Sequence, residues 1–184
     1  MDTFDDLLIK AKKKNQTAMM NIYSICSTEV YNSCNRIISN TFIAEEVMQD
    51  SFLKAFDNLN KFSGSQKEFC NFIKKIAVNH SIDIYRKSKK EIFSSFNEIE
   101  NIDKYVAEEN NDEEIEYSIE NVNKAIEKLP DGYRLILNLH LIEGMEFNDI
   151  AKKLNISAST VRSQFVRAKS KLITILKGEN NEYR

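Results

Sequence analysis

Apolar residues recur at three- and four-residue steps along most of this chain, and this spacing restricts its fold more than any other feature. The spacing puts apolar side chains on one side of an α-helix. No stretch alternates strictly enough to form a half-buried strand, and one proline and four glycines seldom interrupt the pattern. The sequence therefore predicts an all-α protein.

Charged residues divide the 184-residue chain into three blocks. Residues 1–90 contain 14 basic residues (Lys and Arg) and 10 acidic residues (Asp and Glu). Residues 91–120 contain 1 basic and 11 acidic residues, and residues 121–184 contain 11 basic and 7 acidic residues. Because like charges repel and the periodicity is weak in the acidic block, we predict a flexible linker there. The predicted organisation is two small helical domains, residues 1–90 and 113–178, joined by an acidic linker, residues 91–112, and followed by a tail, residues 179–184.

Residues 146–171 carry the local signals of a helix-turn-helix. Ile150 and Leu154 form an apolar stripe on a short first helix, and Asn155 tolerates the left-handed conformation at its end. Ser157 can then cap the second helix through its hydroxyl. Apolar residues recur inward on that second helix at Val161, Phe165, Ala168 and Leu172.

The opposite face of the second helix combines cations with small side chains, which are Ser159, Arg162, Ser163, Val166, Arg167 and Ser170. Arginine can donate two parallel hydrogen bonds to guanine, serine can donate or accept, and valine can touch a thymine methyl. Lys169 is better suited to phosphates. Double-stranded DNA is the partner this face predicts, and the alternative is an amphipathic hairpin with a solvated basic face.

A predicted helix over about residues 67–89 has a core face and an opposite polar, cationic face. The cationic face consists of Lys67, Asn71, Lys74, Lys75, Asn79 and Arg86. Phe72 lies at its border near Asn79, and an aromatic ring beside an amide suits unstacked bases. The pattern of this helix fits equally well the alternative that Phe72 is an ordinary core aromatic.

The chain has three cysteines, Cys26, Cys34 and Cys70, without paired metal-ligand spacing. We expect all three to be reduced helix residues in a cytosolic protein that needs no cofactor and no metal. We find no signal-peptide pattern and no apolar run of membrane length. The sequence also has no convergent nucleophile, base and orienting residue, so we expect neither an enzyme nor a small-molecule substrate.

Three segments in this order resemble parts of one protein family. Residues 44–56 resemble the segment by which sigma region 2 grips the polymerase clamp, and residues 69–86 resemble the helix that opens the DNA strands. Residues 129–168 resemble sigma region 4. The whole chain thus resembles an extracytoplasmic-function sigma factor, a small alternative initiation subunit of bacterial RNA polymerase.

This resemblance implies a role for each surface in transcription initiation. Core RNA polymerase would supply the chemistry, and this subunit would select promoter DNA and melt it. The polymerase clamp would contact Glu46, Gln49 and Asp50. The minus-ten element, with a base flipped from the non-template strand, would be bound by Phe62, Gly64, Ser65, Lys67, Asn71, Phe72, Lys75, Asn79 and Arg86. The minus-thirty-five element would be read by Ser159, Thr160, Arg162, Ser163, Gln164, Val166, Arg167 and Lys169.

Two residues depart from the family pattern. Phe72 stands where many relatives have Trp, and Val166 stands where the residue can be aromatic, so the promoter sequence cannot be carried over. The resemblance also implies an anti-sigma factor as a partner. It implies a location in the bacterial cytoplasm, either free or tethered through a membrane-bound anti-sigma factor.

Two other functions are compatible with the residues. A stand-alone regulator that senses a ligand would be a specific dimer and would bind its operator tightly without polymerase. A helical adaptor would use its basic faces against an acidic protein. The formal net charge of −2 predicts modest affinity of the free chain for DNA, because phosphate neutralisation needs excess cations.

Overall fold

The structure, a computed structural model, describes residues 2–88 and 118–181. All regular secondary structure in these two ranges is helical, which confirms the predicted all-α class. The chain divides into two compact units, residues 1–88 and 89–184, and each is described here by itself. The predicted linker, residues 91–112, and the predicted start of the second domain lie outside the described residues.

The first unit contains four helices and a short 3-10 turn. The last of these helices lies within about one residue of the helix predicted over residues 67–89. The elements are α1 (Phe4–Lys12), α2 (Gln16–Ile38), α3 (Thr41–Asp57), the 3-10 turn (Leu59–Lys61) and α4 (Gln66–Ser88).

Side-chain caps define where the first three helices begin. Thr3 caps α1 and forms a capping box with Asp6. Asn15 accepts from the Ala18 backbone N–H at 2.9 Å, and Asn40 accepts from that of Ile43 at 3.1 Å. These bonds satisfy N–H groups that the first turn of a helix leaves without partners.

The core of the first unit lies between α2, α3 and α4 and includes the fully buried Ile22, Phe69 and Ile73. Cys26 and Cys70 are joined across α2 and α4 with a Cα–Cα distance of 5.3 Å, and Lys74 of α4 forms an ion pair with Glu29 of α2 at 3.1 Å. On each helix the ion-pair residue follows the cysteine by about one turn, so α2 and α4 run parallel.

The disulfide between Cys26 and Cys70 corrects the expectation that all three cysteines are reduced. Each of the two lies on the buried side of its helix, and the parallel packing of α2 and α4 brings them together across 44 residues of sequence. Spacing along the chain does not reveal such a contact. Cys34 is buried and is not in a disulfide.

The second unit carries the helix-turn-helix. Its elements are α5 (Ile119–Glu127), α6 (Asp131–Leu137), a π-helical turn (Asn138–Ile142), α7 (Phe147–Leu154) and α8 (Ala158–Asn181). Helices α5, α6 and α7 all pack against α8, around a centre that includes Leu129, Leu137 and Ala168. Helix α8 continues to Asn181, so the first residues of the predicted tail are helical.

The turn of the helix-turn-helix follows the predicted local chemistry. Asn155 ends α7 in the left-handed conformation, with φ of 57°. The Ser157 hydroxyl accepts from the Thr160 backbone N–H at 3.0 Å and so caps α8. Both predictions are confirmed. None of the helices in the two described ranges is long and apolar enough to cross a membrane.

Candidate nucleic-acid interface

The outer face of α8 presents the polar and cationic side chains that the sequence indicated. Ser159, Arg162, Ser163 and Lys169 are exposed, and Arg167 is half-buried. Val166 lies among them with 51% of its surface exposed, which is high for an apolar side chain in a folded unit. The face therefore offers hydrogen-bond donors and one apolar contact to a DNA groove.

The structure turns two predicted readers of α8 inward, and this corrects their assignment. Thr160 and Gln164 are each only 3% exposed. The Thr160 hydroxyl is bonded to that of Ser157 at 2.8 Å. Gln164 follows the buried Val161 by three residues and precedes the buried Ala168 by four, so it lies on the core side of the helix.

An aromatic cluster holds α8 against the elements before it. Phe165 packs with His140 and Phe147 at ring-centroid distances of 4.9 Å and 5.2 Å, and His140 stacks on Phe147 at 4.2 Å. His140 also donates from Nδ1 to the Met145 carbonyl at 2.8 Å. This support was not among the predictions from the sequence, although His140, Phe147 and Phe165 are ring-bearing residues on either side of the turn.

The outer face of α4 is less uniformly cationic than predicted. Lys67, Asn71 and Lys75 are exposed, as expected of DNA-facing residues. Arg86 forms an ion pair with Asp83 at 3.2 Å, and Asn79 is half-buried. Lys74 is turned toward α2, where it pairs with Glu29, so it does not belong to the open cationic face.

The loop of residues 62–65, here called the α4 entry loop, lies beside an aromatic cluster. The Phe62 ring packs edge-on against Phe69 at 4.8 Å and stacks on Phe72 at 5.7 Å. Phe72 is half-buried and packs against the core. It therefore contributes to the core and also reaches the surface.

Gly64 of the α4 entry loop is closely surrounded. A Cβ added there would lie 2.9 Å from Glu68 Oε2 and 3.1 Å from Phe62 Cζ, and the φ of 158° is one that side chains rarely adopt. Glycine is the residue that fits both the space and the backbone angle.

Ser65 and Glu68 form a capping box at the start of α4. The Ser65 backbone N–H and hydroxyl donate to Glu68 Oε2 at 2.7 Å and 2.8 Å, and the Glu68 N–H donates to the Ser65 hydroxyl at 3.4 Å. The backbone bond from Ser65, followed by its hydroxyl bond, lowers the pKa of Glu68 from its ordinary value of 4.5. Ser65 thus shapes the loop through these bonds.

The predicted clamp-binding residues lie on the outer side of α3. Glu46 and Gln49 are exposed, and Asp50 is half-buried. Two large apolar side chains share this stripe at helical spacing, Phe42 at 83% exposure and Leu53 at 62%. Neither residue was among the predictions from the sequence, although both are apolar positions outside the core stripe of α3.

A groove of about 400 Å³ adjoins this stripe between α2 and α3, with Tyr23, Tyr31 and Gln49 among its lining residues. Exposed carboxylates, an amide and apolar side chains therefore meet on one side of the first unit. In the two described ranges, we find no group of three His, Cys, Asp or Glu side chains that could hold a metal ion.

The comparisons with known proteins identify the family of the chain. The family model for sigma-70 region 2 matches residues 22–91, and the model for sigma-70 region 4 matches residues 119–172. The ECF RNA polymerase sigma factor SigW of Bacillus subtilis (strain 168) is 30% identical over 171 residues, which covers 89% of this chain and 91% of SigW. This chain belongs to the extracytoplasmic-function sigma factors of the sigma-70 family.

Other relatives span similar lengths. The ECF sigma factor SigM of Bacillus subtilis (strain 168) is 26% identical over 162 residues, which covers 88% of this chain and 97% of SigM. The solved sigma factor RpoE of Bartonella quintana, in complex with the anti-sigma factor NepR, is 21% identical, with a TM-score of 0.48, and the match covers 86% of this chain and 95% of RpoE. The chain is an alternative sigma factor for transcription initiation, which is a binding role and not an enzymatic one.

Proposed function

We propose that three surfaces of this sigma factor divide the work of initiation. The outer stripe of α3 binds core RNA polymerase, the α4 entry loop with the outer face of α4 captures the melted minus-ten element, and the outer face of α8 reads the minus-thirty-five element. The observation that carries this division is the α4 entry loop, where a Phe62–Phe72 stack at 5.7 Å lies next to a helix face with exposed Lys67 and Lys75.

Capture of the minus-ten element uses contacts that duplex DNA cannot make. Separating the strands costs about 1.4 kcal/mol for each stacked step. Stacking of a displaced base on an aromatic side chain returns about 1–3 kcal/mol. The half-buried ring of Phe72, the neighbouring Asn79 amide and the exposed cations can supply stacking, edge recognition and phosphate contacts to the non-template strand.

Recognition of the minus-thirty-five element uses the exposed side chains of α8. Arg162 and Ser163 offer donors to base edges, Val166 offers a contact to a thymine methyl, and Lys169 offers charge to the backbone. Thr160 and Gln164 support the helix from its inner side and are not part of this proposal. The reading set is therefore Ser159, Arg162, Ser163, Val166, Arg167 and Lys169.

Binding to core polymerase uses Glu46, Gln49 and Asp50 of α3. Phe42 and Leu53 extend the same stripe with exposed apolar surface. Apolar side chains next to polar ones are typical of the centre and rim of a protein interface, whereas isolated carboxylates in water contribute little.

An anti-sigma factor and a cytoplasmic location complete the proposal. Family resemblance supports both, because sigma factors of this type act on polymerase and chromosomal DNA and are often held inactive by such a partner. The proposed domain bounds are 1–90 and 113–178, with the acidic segment 91–112 between them, and the matches at residues 22–91 and 119–172 support two such domains.

In vitro selection with the complete chain tests this function. Bacterial core polymerase reconstituted with the sigma factor would transcribe a library of templates with randomised minus-ten and minus-thirty-five regions, and the transcripts would be sequenced. We expect two short motifs at a fixed spacing, which are absent when core polymerase is used alone. Enrichment of a single site by the free chain, with no transcription, would contradict the proposal.

A further inference from the structure

Helix α1 lies outside every surface assigned above, yet it contacts the α4 entry loop. Lys12, the last residue of α1, donates from Nζ to the carbonyl oxygen of Phe62 at 2.7 Å. The two residues are 50 positions apart, and the bond is partly buried. An ammonium donor gives a stronger hydrogen bond than a neutral one, so this contact can fix a loop carbonyl in place.

The position of Lys12 is set by packing along α1. Leu7, Leu8 and Ala11 are buried, and the Phe4 ring lies 6.1 Å from Phe69 of α4. The capping box at Thr3 fixes the start of the helix. Helix α1 therefore fixes the backbone position from which Lys12 reaches the loop, while the neighbouring Lys13 is exposed.

The α4 entry loop is consequently held at both ends. At its first residue, Lys12 binds the Phe62 carbonyl, and at its last residue, Ser65 is bonded to Glu68. The Phe62 ring is also packed against Phe69 and Phe72. A loop that is already ordered loses less conformational freedom when it binds, and this increases its affinity without adding a contact.

We propose that Lys12 is a positioning residue for promoter melting, which holds the α4 entry loop ready for the displaced non-template base. This inference rests on the proposed role of that loop in capturing the base. Lys12 acts through the Phe62 carbonyl, so its removal leaves every contact to polymerase and to the minus-thirty-five element intact.

The test measures coupling between Lys12 and the captured base. Holoenzyme containing the complete chain is given the selected promoter, and a set of copies in which one non-template nucleotide of the minus-ten element is abasic. The rate of open-complex formation is measured on each template. With wild type, we expect the abasic site at the captured position to slow opening by about tenfold, since roughly one base–aromatic stack is lost.

Lys12→Met should slow opening on the intact promoter about fivefold, the factor that corresponds to one ordinary hydrogen bond. The slowing of opening caused by an abasic nucleotide at the captured position should shrink by a similar factor. The slowing caused by abasic nucleotides at other positions should stay unchanged. Lys12→Arg keeps the donor and should retain most of the rate. Lys13→Met, at an exposed neighbour in the same lysine run, should behave as wild type.

Two results would overturn the inference. One is that Lys12→Met opens the promoter at the wild-type rate. The other is that Lys12→Met slows opening equally on every template, so that the effect of each abasic nucleotide is the same as in wild type. A general electrostatic or folding role of Lys12 would give this second result. Thermal unfolding of the free variant checks its fold. Failure of the wild-type holoenzyme to initiate would count against the proposed function itself, before any Lys12 variant is compared.

Discussion

Arg162 and Lys169 are both exposed on the outer face of α8, but their chemistry predicts different defects. Arg162→Ala removes a donor that can bind guanine bidentately. It should therefore weaken the free energy of binding to the preferred sequence by about 1–3 kcal/mol and relax the preference at one base pair. Lys169→Ala should weaken binding evenly and lower the salt slope by about one. Holoenzyme binding to single-substituted minus-thirty-five elements at several salt concentrations measures both. An equal loss for Arg162→Ala on all sequences would contradict its role as a reader.

Gln164 lies on the same helix but should not affect base preference, because its side chain is 3% exposed on the core side. Its Oε1 is buried and accepts no hydrogen bond within the described part of the chain. Gln164→Leu removes this buried acceptor and keeps a similar volume, so stability should be unchanged or higher. The minus-thirty-five preference measured by selection should match that of wild type. A new preference at any position would show that Gln164 reads DNA.

Gly64 should be intolerant of even a methyl group. The added Cβ would lie 2.9 Å from Glu68 Oε2, and the backbone angle would cost about 1–3 kcal/mol for a residue with a side chain. Gly64→Ala should therefore slow promoter opening strongly while minus-thirty-five binding stays normal. Gly178→Ala is the matched control, since a Cβ there meets nothing within 4 Å. Normal opening by Gly64→Ala would mean that the loop geometry is unimportant.

At the scale of the element, the start of α4 should depend on pH through Glu68. Its pKa is lowered by the bonds from Ser65, so the charged form stabilises the helix start above the ordinary value of 4.5. This stabilisation is lost as the pH falls through the lowered pKa. The stability difference between wild type and Glu68→Gln should be present at neutral pH and vanish in acid, as measured by denaturant unfolding. A difference that persists or grows in acid would contradict the capping role.

Local chemistry made the elements largely predictable. Helix ends followed from caps such as Thr3 and Ser157, and Asn155 supplied the left-handed turn residue. The inward position of Gln164 also follows from its spacing to Val161 and Ala168, whereas its predicted role as a reader followed from the family resemblance.

Contacts between distant elements could not be predicted in the same way. The Cys26–Cys70 disulfide and the bond from Lys12 to Phe62 depend on how each helix is rotated against its neighbour. Periodicity identifies the buried face of a helix and does not identify the residue opposite it. The exposed faces of the helices were therefore easier to predict than the contacts that hold them in position.

At the scale of the whole molecule, the proposed function combines two DNA-binding units with a third surface for polymerase. The net charge of −2 limits the phosphate neutralisation available to the free chain. Mounting both units on one large partner makes their binding effectively intramolecular, which raises the overall affinity without new contacts. The proposed function therefore predicts that the α3 stripe is as important for promoter recognition as the two proposed DNA-binding faces.

Glu46→Lys should uncouple the protein from polymerase and leave its free DNA binding nearly unchanged. Reversal of one exposed charge at an interface rim mainly slows association. It can also weaken the binding free energy by several kcal/mol when the reversed charge faces a like charge on the partner. Co-elution with core polymerase and promoter-directed transcription should both fall, while the fold measured by circular dichroism is kept. Transcription at the wild-type level would remove Glu46 from the clamp-binding surface.

The most direct test of the central claim compares opening of the minus-ten element by the sigma factor alone and with bacterial core polymerase, at physiological ionic strength. Reactivity of unpaired thymines on a selected promoter reports opening. The account predicts opening only when both proteins are present, and co-elution of the two. A chain that never co-elutes with core polymerase, yet protects an operator alone under the same conditions, would contradict it.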